Sequence, residues 1–275
     1  EPPFCKPYAL NHFMDWITRM ETTAVEKTEP TLPLFYKSPL LLRFEEHEAS
    51  ALVAHDGFAF ARNALAIPLG VSEFAHAVRH YPIVFSGEDM APLAVVGVKD
   101  GRNLFVDEAG TWRAATYIPA YVRRYPFIVM EAPDQSANLL AIDESSDRFL
   151  MAVSDQAGAD RLFEDNGEPT PTALSAMEFC RAYHQDHLNT LAFIEALKKA
   201  DVLTSKGADI RFPDGSRHVI DGFSVVDEAA FRNLPSETVA DWHAKAWLDL
   251  VSLHLTSAQN WRGLLDIDAG LLQAA

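Results

Sequence analysis

A chain of 275 residues, 48% of them hydrophobic, is long enough to bury a globular core as one large domain or two small ones. With 23 Lys and Arg against 39 Asp and Glu, the formal charge is −16, which disfavours nucleic acid or an anionic membrane face as a partner. Cys5 and Cys180 are the two cysteines, too few for a disulfide framework and too far apart for a thiolate metal motif, and no apolar run reaches the roughly 18 residues of a membrane span.

The opening stretch "EPPFCKPYALNHFMDWITRM" carries acidic residues and no small-residue cleavage site, so it does not read as a secretory leader, and a cytoplasmic protein is expected. Met20 reads as a plausible start. The first 19 residues would then be an upstream extension or a start-site choice, and residues 1–30 as a whole are read as an N-terminal extension ahead of the fold. From 31 to 154 the chain reads as a sheet-rich half of short strands with turn punctuation and short helices. Within it, "LAVVGVKDGRNLFVDEAGTW" predicts a hairpin or meander around Asp100-Gly101, and "LLAID" and "RFLMAV" predict two more strands.

Two phrases, "VRHYPIVF" and "VRRYPFIV", share the pattern Val-Arg-x-Tyr-Pro followed by apolar residues. Ser72 starts a short helix before the first copy, and Pro119 before the second. The arginines then fall at the helix C-terminus, where the dipole favours cations. Pro82 and Pro126 end the helical geometry and suit the first position of a strand. Each phrase is predicted to be a helix-to-strand junction.

Residues 155–172, acidic and rich in Gly and Pro, read as a connection. From 173 to 275 a helix–hairpin–helix half follows. A long helix to about Asp201 carries Leu174, Met177, Cys180, His184, Leu188, Leu191, Ile194 and Leu197 as one apolar stripe. A hairpin around Asp214-Gly215, a turn at Asp221-Gly222, a short helix from Asp227 to Leu234 and a last helix from Ser236 to about Trp261 complete it. The fold class expected is α+β, mostly antiparallel sheet with short helices, whether the second half forms its own core or shares that of 31–154.

The phrases "LPLFYKSPLLL", "RHYPIVF", "NLFVDEAGTW", "YIPAYVRRYPFIV", "IDGFSVVDEAAFRNLP" and "SAQNW", in this order and spacing, resemble the SapC family of bacterial proteins over about Leu32 to Leu265. The resemblance implies a name linked to surface layers and an association of relatives with flavin-dependent tryptophan halogenases and cupin-like hydroxylases. It implies no catalytic residue set. The expected function is a non-catalytic binding or accessory protein acting on a peptide or protein partner, with a metal-dependent enzyme and a surface-layer structural protein as alternatives.

Three residue groups carry what chemistry the sequence offers. Glu73, His76 and His80 stand at helical steps, so a metal-dependent enzyme would place a transition metal there; the plainer reading is the exposed face of a short helix. No other cofactor is expected. Arg79, Tyr81, Arg123, Arg124 and Tyr125 would line a site for an anionic or peptide ligand if the two junctions lie side by side in one sheet. Against this, arginines at helix ends commonly cap carbonyls. Trp242 and Trp261 are first read as core, and as a protein-binding or homodimer patch if they are exposed. His184 and His187 form an H-x-x-H pair with His184 on the core stripe, and Ser86 reads as a turn residue rather than a nucleophile.

Overall fold

The computed structural model describes residues 32–54, 57–99, 101–131, 138–152, 158–211 and 217–271. The extension 1–30 and the hairpin turn at Asp214-Gly215 lie outside them. In chain order the strands are β1 (Pro39–Leu41), β2 (Ala51–Val53), β3 (Ala66–Pro68), β4 (Ile83–Ser86), β5 (Ala91–Val95), β6 (Phe127–Glu131), β7 (Asn138–Asp143), β8 (Phe149–Leu150), β9 (Ala159–Arg161), β10 (Leu203–Arg211) and β11 (Arg217–Val226). Every pairing among them is antiparallel. The fold is α+β, as the sequence implies.

The chain divides into two compact units that interleave in sequence: the described residues of Glu1–Asp56 and Arg124–His184, and those of Gly57–Arg123 and Gln185–Ala275. The first unit holds two three-stranded sheets, ordered β1-β7-β6 and β8-β2-β9. Leu52, Phe127, Leu140, Ile142, Phe149, Leu162, Ala173 and Cys180 form its buried cluster. The second unit holds a five-stranded sheet ordered β10-β11-β4-β5-β3. Its hairpin strand β11 pairs with β4, the strand that follows the first Arg-x-Tyr-Pro phrase. Asp221-Gly222 is no separate turn. It sits inside β11 opposite a register shift between Lys206 and Ala208, a bulge that Gly222 accommodates at φ 76°.

The long helix runs Pro171–Lys199, its residues to His184 belonging to the first unit and the remainder to the second. Thr170 caps its start, the hydroxyl oxygen accepting from the Ala173 amide at 3.4 Å, and Pro171 occupies the first turn, where its missing N–H costs nothing. At the other end Asp201 adopts φ 51°, and the amides of Asp201 and Val202 close onto the carbonyls of Lys198 and Leu197, the left-handed stop that glycine usually supplies. The buried face differs from the predicted stripe. Ala173, Cys180, Thr190, Phe193, Ile194 and Leu197 are buried, whereas Leu174 is 51% and Leu188 45% exposed, and Leu191 and His184 also lie outside.

Polar docking sets that register. Thr190 Oγ1 accepts from the Val71 amide at 3.0 Å, and the Asp186 carboxylate takes the Ser72 amide at 3.2 Å and hydroxyl at 2.8 Å. A Cβ at Gly70 would stand 1.7 Å from Asp186 Oδ2, so only glycine admits the carboxylate. The expected last helix is three: Ser236–Ala244, Trp247–Ser257 and Asn260–Asp268. Ala246 breaks the first from the second at φ 56°. Among the described residues, no helix is long and apolar enough to cross a membrane.

Candidate functional site

Both Arg-x-Tyr-Pro phrases are helix-to-strand junctions, from Phe74–Ala77 into β4 and from Ala120–Arg124 into β6. In the first, Tyr81 is fully buried and its hydroxyl donates to the Tyr117 carbonyl. Asn260 Nδ2 donates to the carbonyls of Val78 at 2.7 Å and Tyr81 at 2.9 Å, and Ser257 Oγ accepts the Ile83 amide at 2.9 Å. The "SAQNW" stretch thereby satisfies the backbone groups that the end of the helix and the proline leave open.

Glu73 underlies the same junction. Its buried carboxylate accepts from the Gly70 amide at 2.8 Å, the Tyr117 hydroxyl at 2.9 Å and the Ala120 amide at 2.6 Å. Burial pushes its pKa up, opposed by those three donors and by the charge of Arg123. Arg123 Nη2 donates to the Tyr117 hydroxyl at 3.2 Å and its Nε to the Ile118 carbonyl at 3.0 Å. Burial and Glu73 push the Tyr117 phenol up to about 12, so it serves as a hydrogen-bond donor throughout the neutral range.

The structure does not gather Glu73, His76 and His80 as ligands. Val71–Glu73 is a 3-10 turn and the helix proper begins at Phe74, so uniform helical spacing does not hold across the three. Glu73 turns inward, His76 stacks on Tyr117 at 5.2 Å between ring centroids, and burial, then the charge of Arg79, lowers the His80 pKa. Among the described residues no three His, Cys, Asp or Glu side chains are grouped to hold a metal ion.

In the second junction, the Arg124 guanidinium carbon lies 4.4 Å above the Tyr183 ring and 5.6 Å from that of Tyr36. The Tyr125 hydroxyl donates to Asp143 Oδ2 at 3.3 Å. Asp143 also takes the amides of Lys37 and Ser38, each at 2.9 Å. Burial would raise its pKa, but these donors and Ser145 outweigh it and hold the carboxyl below the usual range. Strands β4 and β6 belong to different sheets, so the two junctions do not lie side by side in one sheet. Tyr81, Arg124 and Tyr125 are buried; Arg79 and Arg123 are exposed.

Ser86 is buried, its hydroxyl donating to the Gly222 carbonyl at 3.0 Å. Trp242 is 2% exposed, so it is core and not an exposed anchor, while Trp261 is half-buried and stacks on Phe223 at 5.9 Å.

Trp242 instead helps to form the second unit's open groove of about 830 Å³. One wall is the end of the long helix, with Ala192 and Ala196 beside Glu195 and Lys199 and with Ala200 just past its last residue. The facing wall is helix Ser236–Ala244 and the residues after it: Glu237, Thr238, Asp241 and Lys245, with Trp247. The two indoles meet edge to face at 6.3 Å, and Lys245 Nζ stands 4.5 Å over the Trp247 ring.

A family model described as SapC matches residues 42–264. The chain belongs to the SapC family. The SapC match takes in both junctions and every residue of the groove. No curated protein and no solved structure matches the chain. The sequence points to Trp242 but not to the rest of the SapC groove, whose long-helix residues sit outside the predicted stripe. The alanines at 192, 196 and 200, a small-residue row on the far side of that helix, were the available signal.

Proposed function

We propose that this SapC-family protein works by binding a segment of a peptide or protein partner in the groove over Trp242 and Trp247. The observation that carries this is the groove itself. Its size lies within the range of ligand sites, and it combines an aromatic base with a few charged groups on its walls. The alanine row allows close approach of another backbone, and the half-buried Trp247 supplies the rigid aromatic area typical of recognition surfaces. The accessory association implied by the family resemblance makes a flavin-dependent halogenase or a cupin-like hydroxylase the first partner to test.

The test is Ala196→Arg, which fills the groove while keeping a good helix former on the long helix. Binding of a purified halogenase or hydroxylase, and of a peptide array tiled across its sequence, is measured by interferometry with wild type and variant. Saturable binding lost at least tenfold in Ala196→Arg is expected. Equal binding by the two proteins, or none by the wild type, refutes the reading.

A further inference from the structure

The wall of the groove already holds an alkylammonium. Lys245 Nζ stands 4.5 Å above the Trp247 ring centroid and 2.8 Å from Asp241 Oδ2, so an aromatic face and a carboxylate converge on one cationic head. The two side chains remain 47% and 50% exposed, and exposed pairs one helical turn apart hold weakly. The seat is well shaped for a cation, and its present occupant is readily displaced.

The surroundings carry the same sign. Glu195, Glu237 and Asp241 line the groove against Lys199 and Lys245; Glu195 is met by Lys198 at 3.2 Å, and Lys245 is itself the seated cation, which leaves Glu237 and Asp241 facing Lys199. The last turn of the long helix forms part of the wall, and the negative end of its dipole there is offset by Lys198 and Lys199 of the same turn. At longer range the net charge of −16 attracts basic partners and repels acidic ones. The row from Ala192 to Ala200 spans about 12 Å along the helix axis, enough for roughly four residues of extended chain.

From the seat and this charge balance we infer that the groove takes a basic segment of a partner protein, whose lysine or arginine lies over Trp247 against Asp241 in place of Lys245. The inference rests on the groove being the binding site and goes further, to what enters it. An acidic segment would set its carboxylates against Glu195, Glu237 and Asp241. A neutral apolar segment would leave the seat to Lys245.

The full chain is titrated with two tryptophan-free peptides, acetyl-Lys-Leu-Lys-Leu-Lys-amide and its glutamate counterpart, following indole fluorescence and heat. The basic peptide should saturate, and its affinity should fall several-fold between low and physiological salt. Asp241→Asn, which keeps the shape and removes the charge, should weaken it about fivefold or more. Lys245→Ala should tighten it about twofold or more by removing the internal competitor. Basic-peptide binding that is unchanged by Asp241→Asn is adsorption to an acidic surface and overturns the inference, as does weaker binding by Lys245→Ala. Preference for the glutamate peptide, lost in Ala196→Arg, overturns the charge assignment while the groove stands. No binding of either peptide also overturns the inference, and the groove is then judged by the Ala196→Arg result with the partner protein.

Discussion

His254 should make the second unit lose stability in mild acid. The ring is 2% exposed on helix Trp247–Ser257, its Nε2 accepts from the Val226 amide at 3.0 Å, and its face lies 4.9 Å from Phe85. Nε2 is an acceptor only while unprotonated, and burial lowers the pKa from 6.5 to about 4. Above pH 6.5 the folded and unfolded chains are both neutral here, so the group adds no pH dependence. Between pH 6.5 and about 4 the unfolded chain binds a proton that the folded chain refuses, and stability falls as pH falls. Each pH unit in that window costs about 1.4 kcal/mol, which amounts to about 2 kcal/mol at pH 5. His254→Gln retains an acceptor but does not titrate. Urea denaturation followed by tryptophan fluorescence at pH 7.5 and pH 5 measures the gap between wild type and variant. The variant should be the less stable by about 1–2 kcal/mol at pH 7.5 through lost packing, and the gap should close or reverse at pH 5. Comparing the two proteins cancels the common effect of acid on the other charges. A gap of the same size at both pH values would refute the buried neutral imidazole.

Two further predictions concern the packing that positions the first junction. Gly70→Ala sets a methyl against Asp186 and should cost about 1–3 kcal/mol; its effect should be less than additive with Asp186→Ala in a double-mutant cycle of thermal melts, and full additivity would remove the clash as the cause. Asn260→Ala strips the donor from the carbonyls of Val78 and Tyr81 and should cost about 1–3 kcal/mol in urea denaturation, with Asn260→Asp as poor a replacement because it restores no amide donor.

The sequence was most legible where local chemistry decides. Pro82 and Pro126 restrict the residue before them and suit a strand start, so the two junctions could be read from five letters each. The hairpin β10–β11 was legible for the same reason. The long helix was legible as an element but not in its register. Leucine spacing pointed to Leu174, Leu188 and Leu191, whereas the buried face is fixed by Asp186 and Thr190 reaching the backbone at Gly70–Ser72, a contact over more than a hundred residues that no periodicity encodes. Ala246 takes a left-handed conformation without glycine or proline to announce it, which splits Ser236–Ala244 from Trp247–Ser257, and a turn at Ala258 and Gln259 makes the second break. The spacing of Glu73, His76 and His80 assumes one helix, whereas Val71–Glu73 is a 3-10 turn and the Glu73 carboxylate is taken up by the amides of Gly70 and Ala120. The groove was hidden because it is built from residues on elements far apart in the chain, and its most telling pair, Asp241 with Lys245, looks in sequence like any surface ion pair.

The interleaving of the two units bears on how this chain can be cut. The path passes from one to the other after Asp56, after Arg123 and after His184, so no single break yields a whole unit on either side. A stop after Arg123 strands β1 and β2 without the β7, β8 and β9 that pair with them, and a start at Gln185 leaves β11 without β4. Expression of either half, or transfer of one half to another gene by a single crossover, delivers unmatched sheet edges and no closed core. The practical unit of inheritance and of protein engineering is therefore the whole stretch, in keeping with a family match that runs unbroken from 42 to 264.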